Sequence, residues 1–324
     1  MGRIGCLLTG LIVGALWPAL KGAMQKCLSV SSFQKRPSLS PAALERRLYS
    51  LTQSREARDS QGAFFAEGMR FVAVALANPH TELECAVIAP ELATHPFIAT
   101  LRQQLRARDI PLHTISASLF KRLSIAEEPQ GIGMICKQRL QPLGRVSPEA
   151  GLCWLALDTI RSPGNLGTIC RTADAVGAAG LILIGESIDP FDPQVIRATM
   201  GSLFALRLVR TDEAGFTRWR EKHGATLVGT SPHATSDYHT FAFPERTILW
   251  LGGEREGLGA SQLSTCDHVV QIPMVGTADS LNVATAAAVL LYEVFNQRRT
   301  SGSFEARLAC PSPESVASPT PRPG

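Results

Sequence analysis

Leu249-Trp250-Leu251-Gly252-Gly253-Glu254-Arg255-Glu256-Gly257-Leu258-Gly259 begins as an apolar run and breaks into glycines set around carboxylates. The run starts at Ile248 and shows no polar alternation, the pattern of a strand covered on both faces. Glycines directly after such a strand let main-chain amides come close to a ligand. A carboxylate among them, Glu254, can accept hydrogen bonds or orient an arginine. Working outward, similar short apolar runs occur at residues 152–157, 180–184, 206–209, 226–228 and 269–272, with helical patterns at 165–176 and 195–200. Such alternation predicts an α/β fold with a mostly parallel, doubly wound sheet flanked by helices. No GxGxxG follows any of these strands, which disfavours a nucleotide-dependent oxidoreductase.

Two more segments carry polar residues that packing alone does not demand. Arg161-Ser162-Pro163-Gly164-Asn165-Leu166-Gly167-Thr168-Ile169-Cys170-Arg171 lies just beyond the C-terminal end of the 152–157 strand, where open α/β sheets bind ligands. There Asn165 is expected to cap the helix, with Arg171 nearly two turns on and near the same face. In the other, Ile272-Pro273-Met274 runs through a loop into Asp279-Ser280-Leu281-Asn282-Val283, opening a helix of small residues. Ser280 also reads as a simple cap, and the alanines as a means of close helix packing. His233 and His239 lie in a polar loop with no carboxylate at a recognisable spacing, and read as surface residues.

The first half predicts a smaller α/β unit. Ser40 and Pro41 open a helix with Leu44, Leu48 and Leu51 at helical spacing. A strand at 63–66, a helix at 69–77, a strand at 85–89, a helix at 97–108 and a strand at 131–136 follow. Boundaries fall at 1–36 (apolar segment and linker), 37–140, 141–150 (a Pro/Gly linker), 151–299 and 300–324 (a Ser/Pro-rich tail expected to be disordered). Residues 4–20, behind Arg3, are apolar but shorter than the roughly 20 that a clean span needs. They read either as an upstream start codon wrongly assigned or as a targeting or peripheral segment, and membrane contact is expected only in the second case.

The chain has 324 residues, 45% hydrophobic and 19% charged, with a net charge of +4. That mild excess permits a polyanionic partner without requiring one. Its eight cysteines form no CxxC pair and no zinc spacing, so no metal is expected, and the thiols read as reduced and mostly buried, pointing to the cytoplasm.

The three segments in this order resemble the SpoU/TrmH family of RNA ribose methyltransferases, in the SPOUT superfamily. Asn165 and Arg171 match its N-x(5)-R pattern, and Gly252, Glu254 and Gly257 its G-x-E-x-x-G pattern. Ile272 to Val283 match its I-P-M…S-L-N-V run. The resemblance covers residues 151–299. It extends less specifically to Arg58–Gly68 and Glu128–Gly131, which look like an L30e-type RNA-binding domain, and Arg197–Phe204 looks like the family's post-helix loop.

The resemblance implies a trefoil-knotted sheet, an exception to the unknotted rule, preceded by a smaller L30e-like domain. It implies S-adenosylmethionine as cofactor, held by main-chain groups around Gly252, Ile272 and Leu281, and a homodimer. It implies transfer of a methyl group to a ribose 2′-hydroxyl of structured RNA, with 23S-type rRNA ahead of tRNA. A non-catalytic RNA-binding paralogue is the further alternative. Asn165, Arg171, Glu254, Ser280 and Asn282 would form the catalytic set, with Arg171 as the family's general base. Because a guanidinium stays protonated, positioning and phosphate contact are the role assigned to Arg171 here. Many members continue the third motif with Ser-Val-Ala, whereas this chain has Ala284-Thr285-Ala286. RNA contact is expected from Arg46, Arg47, Arg58, Lys121 and Arg122 of the first domain.

Overall fold

The computed structural model describes residues 40–185 and 188–301. The expectations for the apolar segment 4–20 and the tail beyond residue 301 lie outside those residues. Among the described residues no helix is long and apolar enough to cross a membrane.

The first half begins with α1 (Pro41–Gln53), where the Ser40 hydroxyl accepts from the Ala43 amide and Pro41 fills the first turn. After α2 (Arg55–Gln61) come β1 (Ala63–Glu67), α3 (Met69–Ala77), β2 (Leu83–Ile88), α4 (Phe97–Ala107), β3 (Leu112–Thr114), α5 (Ala117–Leu123) and β4 (Ile132–Lys137). The strands form one sheet in the order β1-β4-β2-β3, antiparallel except for β2 with β3. Leu48 and Leu51 of α1 and Phe120 of α5 cover one face. Both α3 and α4 cover the other.

The second half contains β5 (Trp154–Asp158), α6 (Pro163–Ala175), β6 (Gly180–Ile184), α7 (Pro193–Thr199), β7 (Arg207–Thr211), α8 (Glu213–His223), β8 (Thr226–Thr230) and β9 (Ser236–Asp237). It ends with β10 (Thr247–Leu251), α9 (Ala260–Thr265), β11 (His268–Gln271) and α10 (Val283–Thr300). The sheet order is β7-β6-β5-β10-β8-β11-β9, and every neighbouring pair is parallel. Side-chain alternation along β5 sends Trp154 and Ala156 to one buried layer and Leu155 and Leu157 to the other. Both layers are apolar, which explains why the strands read as unbroken hydrophobic runs.

The linker expected at 141–150 is docked against the second sheet. The Gln141 amide donates to the Leu208 carbonyl at 2.8 Å. Val146 is buried, and the Trp154 indole donates to the Ser147 carbonyl at 2.9 Å. A buried indole usually finds an acceptor, and for Trp154 this segment supplies it.

The two halves also share one core. Phe64 of β1 stacks on Phe191 with centroids 4.9 Å apart, and a single buried cluster runs from α3 and β2 through β5, α6 and α10. Arg58 of α2 adds a polar lock to this interface. Its Nε donates to Asp189 Oδ2 at 2.6 Å and its Nη1 to the Leu51 carbonyl at 2.9 Å, while Nη2 lies 3.4 Å from Asp192, which caps α7. At 3% exposure Arg58 cannot contact RNA, so that expectation is corrected. Arg47 is half-buried and paired with Glu84, whereas Arg46, Lys121 and Arg122 are exposed, Arg122 in a surface pair with Glu45.

Replacing Arg58 with Ala leaves the buried Asp189 carboxylate only the Phe191 amide and the more distant Arg210, 4.0 Å away, a defect that costs up to about 3–5 kcal/mol. The expected outcome is a large drop in the thermal midpoint. Arg122→Ala, which breaks an exposed pair, should change stability by under about 1 kcal/mol. Calorimetric melting of both variants checks this, and equal midpoints would contradict the lock.

Candidate active site

The three motif-bearing segments meet at the C-terminal edge of the second sheet. Here β10 lies beside both β5 and β8, and β11 lies beside β8, so their ends deliver Gly252, Asp158, Ser231 and Ile272 to one edge. Ser162, and not the expected Asn165, caps α6, its hydroxyl accepting from the Asn165 amide at 3.4 Å with Pro163 in the first turn. Asn165 is therefore inside the helix, and its side chain is free to turn outward.

After β10 the chain doubles back tightly. Gly253 and Gly257 exchange two main-chain hydrogen bonds, at 3.1 and 3.0 Å. A Cβ on Gly252 would lie 2.0 Å from the Gly257 carbonyl carbon, so no other residue fits there. This turn points Glu254 at the start of α6. Its Oε1 accepts from the Ser162 amide at 2.9 Å and from Asn165 Nδ2 at 2.8 Å. A carboxylate at a helix N-terminus is favoured by the helix dipole as well as by these bonds.

The other end of the Asn165 amide is also engaged. Its Oδ1 accepts from Asn282 Nδ2 at 3.0 Å, and Asn282 Oδ1 accepts from the Ala284 amide at 2.9 Å and the Thr285 amide at 3.4 Å, capping α10. Each side-chain amide has its donor end and its acceptor end committed to different partners, so neither can be flipped without losing bonds. The chain Glu254–Asn165–Asn282 thus ties together three segments distant in sequence. Glu254 Oε2 has no partner among the described residues and faces solvent.

Two of the expected residues stand apart from this chain. Six residues at 3.6 per turn leave Arg171 about a third of a turn from Asn165, so the two do not share a face. Arg171 instead lines an open cleft with Ile125, Gln194, Arg197, Ala198 and Met200. Ser280 is exposed in the loop before α10. Of the expected cofactor residues, Gly252 is buried, Ile272 packs against the core, and Leu281 is 37% exposed. Within the described residues the loop 273–281 makes no main-chain hydrogen bond to other backbone. Ala284 faces the core at 3% exposure while Thr285 is exposed, so the shifted hydroxyl of the third motif lies on the open side of α10.

Sequence reading missed a second polar group at this edge. Asp158, the last residue of β5, accepts from Gln262 Nε2 at 2.9 Å and from the Thr159 hydroxyl at 2.8 Å. The signal was its position as the first polar residue after an apolar strand. It also missed that His239 has a carboxylate partner, its Nδ1 lying 3.3 Å from Glu293 Oε2. Those residues are 54 apart in sequence, which is why no local spacing revealed the pair.

Residues 153–292 match the model of the SpoU rRNA Methylase family, and residues 46–133 match an MRM3-like substrate binding domain. A 23S rRNA (uridine(2479)-2′-O)-methyltransferase of Streptomyces viridochromogenes is 39% identical over 178 residues, a match spanning 53% of this chain and 62% of that relative. An uncharacterized tRNA/rRNA methyltransferase of Synechocystis sp. is 31% identical over 79% of this chain and 91% of its own length. The crystal structure of an AdoMet-bound rRNA methyltransferase from Sinorhizobium meliloti superposes with a TM-score of 0.71 at 34% identity, covering 82% of this chain and 98% of that one. Motifs, fold and relatives agree, and the chain belongs to the SpoU/TrmH family of RNA methyltransferases.

Proposed function

We propose that this protein transfers a methyl group from S-adenosylmethionine to a ribose 2′-hydroxyl of structured RNA, with 23S-type rRNA as the substrate class. The observation that carries the reading is the Glu254–Asn165–Asn282 chain held beside the strand-end loops. The Streptomyces viridochromogenes relative, which acts on a uridine of 23S rRNA, supports the substrate class.

The strand-end residues suit the cofactor. Main-chain groups of 273–281 are free to read the edge of an adenine, and the exposed Leu281 and Val275 offer apolar surface that lacks cover. Gly252, Ile272 and Leu281 would hold it, and the trefoil threading of the family would close the pocket. When bound, S-adenosylmethionine supplies the electrophilic methyl group.

The remaining work belongs to the chain's own side chains. Methyl transfer needs the 2′-oxygen held in line and its proton removed as charge develops. Asn165, Ser280 and Asn282 can hold the hydroxyl but are not bases at neutral pH. Arg171 stays protonated and suits an RNA phosphate. Glu254 is the one carboxylate among the five, and its Oε2, which no described residue engages, is the atom placed to take the proton.

The first half binds RNA in the L30e-like manner, and the protein acts in the cytoplasm, consistent with free cysteines whose burial pushes Cys153 and Cys170 up to about 12. It acts as a homodimer, in which the half-exposed Tyr292 of α10 would be covered by the partner. Sedimentation should give twice the chain mass, and a single-chain mass would refute the dimer.

Arg171→Ala should abolish tritium transfer from labelled cofactor to rRNA while calorimetric cofactor affinity stays within about twofold. Full activity in that variant would remove Arg171 from the site. Asn282→Asp is more discriminating, because a carboxylate still caps α10 but can no longer donate to Asn165. Losing that one bond should lower the rate by about tenfold to a hundredfold, equivalent to about 1–3 kcal/mol, with melting nearly unchanged. An unaltered rate would show that the amide chain is only structural.

A further inference from the structure

The cleft that holds Arg171 lies where the two halves meet, and three arginines gather in it. It is open, about 470 Å³ in volume. Arg197 of α7 lines it beside Arg171 of α6, and Arg70, from the first turn of α3, reaches the same place by donating from Nε to the Met200 carbonyl at 2.5 Å. Gly167 brings the two helices together: a Cβ there would lie 2.2 Å from the Ala198 Cβ, so α6 and α7 touch with nothing between them.

Several arginines elsewhere are paired with carboxylates, though others, such as Arg46 and Arg102, stand singly on the surface, and what marks the cleft is that three converge there. Arg47, Arg58, Arg122, Arg210 and Arg220 each lie within 4.0 Å of a carboxylate. In the cleft the partners are backbone carbonyls, Met200 for Arg70 and Ile125 for Arg197 at 3.3 Å, and Arg171 has no hydrogen bond or ion pair among the described residues. A carbonyl orients a guanidinium without cancelling its charge. Burial and the neighbouring charge of Arg171 lower the pKa of Arg70, opposed only by Asp174. Three like charges gathered with so little compensation are unfavourable until an anion arrives.

The rim is apolar and firmly held. Ile125 is 42% exposed and Met200 37% exposed, and Met200 sits in the left-handed region at φ 53°, ending α7. Glu67 Oε1 accepts from the Ser124 hydroxyl at 2.8 Å and the Ile125 amide at 3.1 Å, fixing the loop that carries Ile125. Guanidiniums ringed by exposed apolar side chains suit a nucleotide, with the phosphate on the arginines and the base or sugar against the rim.

We propose that Arg70 and Arg197, with Arg171 between the two halves, form a clamp for the RNA phosphates flanking the target nucleotide, and that Ile125 and Met200 support an unstacked base. This rests on the RNA methyltransferase reading and adds to it two substrate-positioning residues, one from each half.

The test uses the full chain and the Arg70→Gln, Arg197→Gln and double variants. A fluorescein-labelled RNA hairpin with a single-stranded loop is titrated at several salt concentrations. Each lost phosphate contact lowers the slope of log affinity against log salt by about 0.7–0.9. The double variant should therefore lose roughly 1.5 of slope and at least tenfold in affinity, with KM for RNA rising more than kcat falls. Cofactor binding by calorimetry should be unchanged, and Arg197→Lys should restore most of the slope, which a packing role would not permit. Wild-type slope and affinity in the double variant would overturn the clamp, as would loss of affinity that Lys fails to restore. If the wild-type protein itself transfers no methyl group from labelled cofactor to rRNA, the methyltransferase reading fails instead, whatever the salt slopes show.

Discussion

Everything at the candidate site depends on the side-chain amide of Asn165 being satisfied at both ends. Its nitrogen faces Glu254 and its oxygen faces Asn282, at 2.8 and 3.0 Å. That condition can be met only when the turn after β10, the start of α6 and the cap of α10 are all in place. The dependence runs both ways, since Glu254 also holds the Ser162 amide and Asn282 also holds the first amides of α10. Bonds that cap helices and bonds that align the polar set are the same bonds. The site is therefore organised by elements whose stability comes from the core beneath them, the arrangement that preorganised chemistry requires.

The sheet was legible in the sequence because each strand is buried on both faces, so Trp154 to Leu157 or Gly180 to Ile184 had no polar interruption to obscure it. The cap at Ser40 lay where the sequence put a polar residue before a helix, whereas the last helix is capped by Asn282, two residues beyond the Ser280 read as its cap. Helix α8 was less visible. Only Phe216 and Trp219 of its eleven residues are buried, too few to mark a helical stripe in a segment so rich in charge. The segment 141–150 read only as a linker because its prolines and glycine are visible locally, while its docking through the Trp154 indole emerges only in three dimensions.

At the site, residue types were legible and their grouping was only partly so. Asn165, Glu254 and Asn282 come together as expected, but assigning Arg171 to the same face ignored helical phase. Arg58 shows the corresponding limit for electrostatics. In sequence it is one more basic residue beside a candidate RNA surface. Its partners Asp189 and Asp192 lie more than 130 residues away, and they turn it from an RNA ligand into an internal lock. Charge read from composition therefore overcounts what a polyanion can meet, and the structure removes the paired arginines from the count.

Helix α6 connects these observations. One side carries Asn165 to the strand-end loops, another carries Arg171 to the interdomain cleft, and a third packs Leu166, Ile169, Cys170 and Ala173 into the shared core. Gly167 lets α7 lie directly against it, which sets the separation between Arg171 and Arg197. The N-cap of α7 is Asp192, which also lies against Arg58 of the first half. A shift of the first half would thus reach α7 through that contact, and through α7 the helix on which both Arg171 and Asn165 are mounted. On the proposed reading, RNA contact by the first half and methyl transfer in the second would be coupled by rigid packing, with no moving part needed between them.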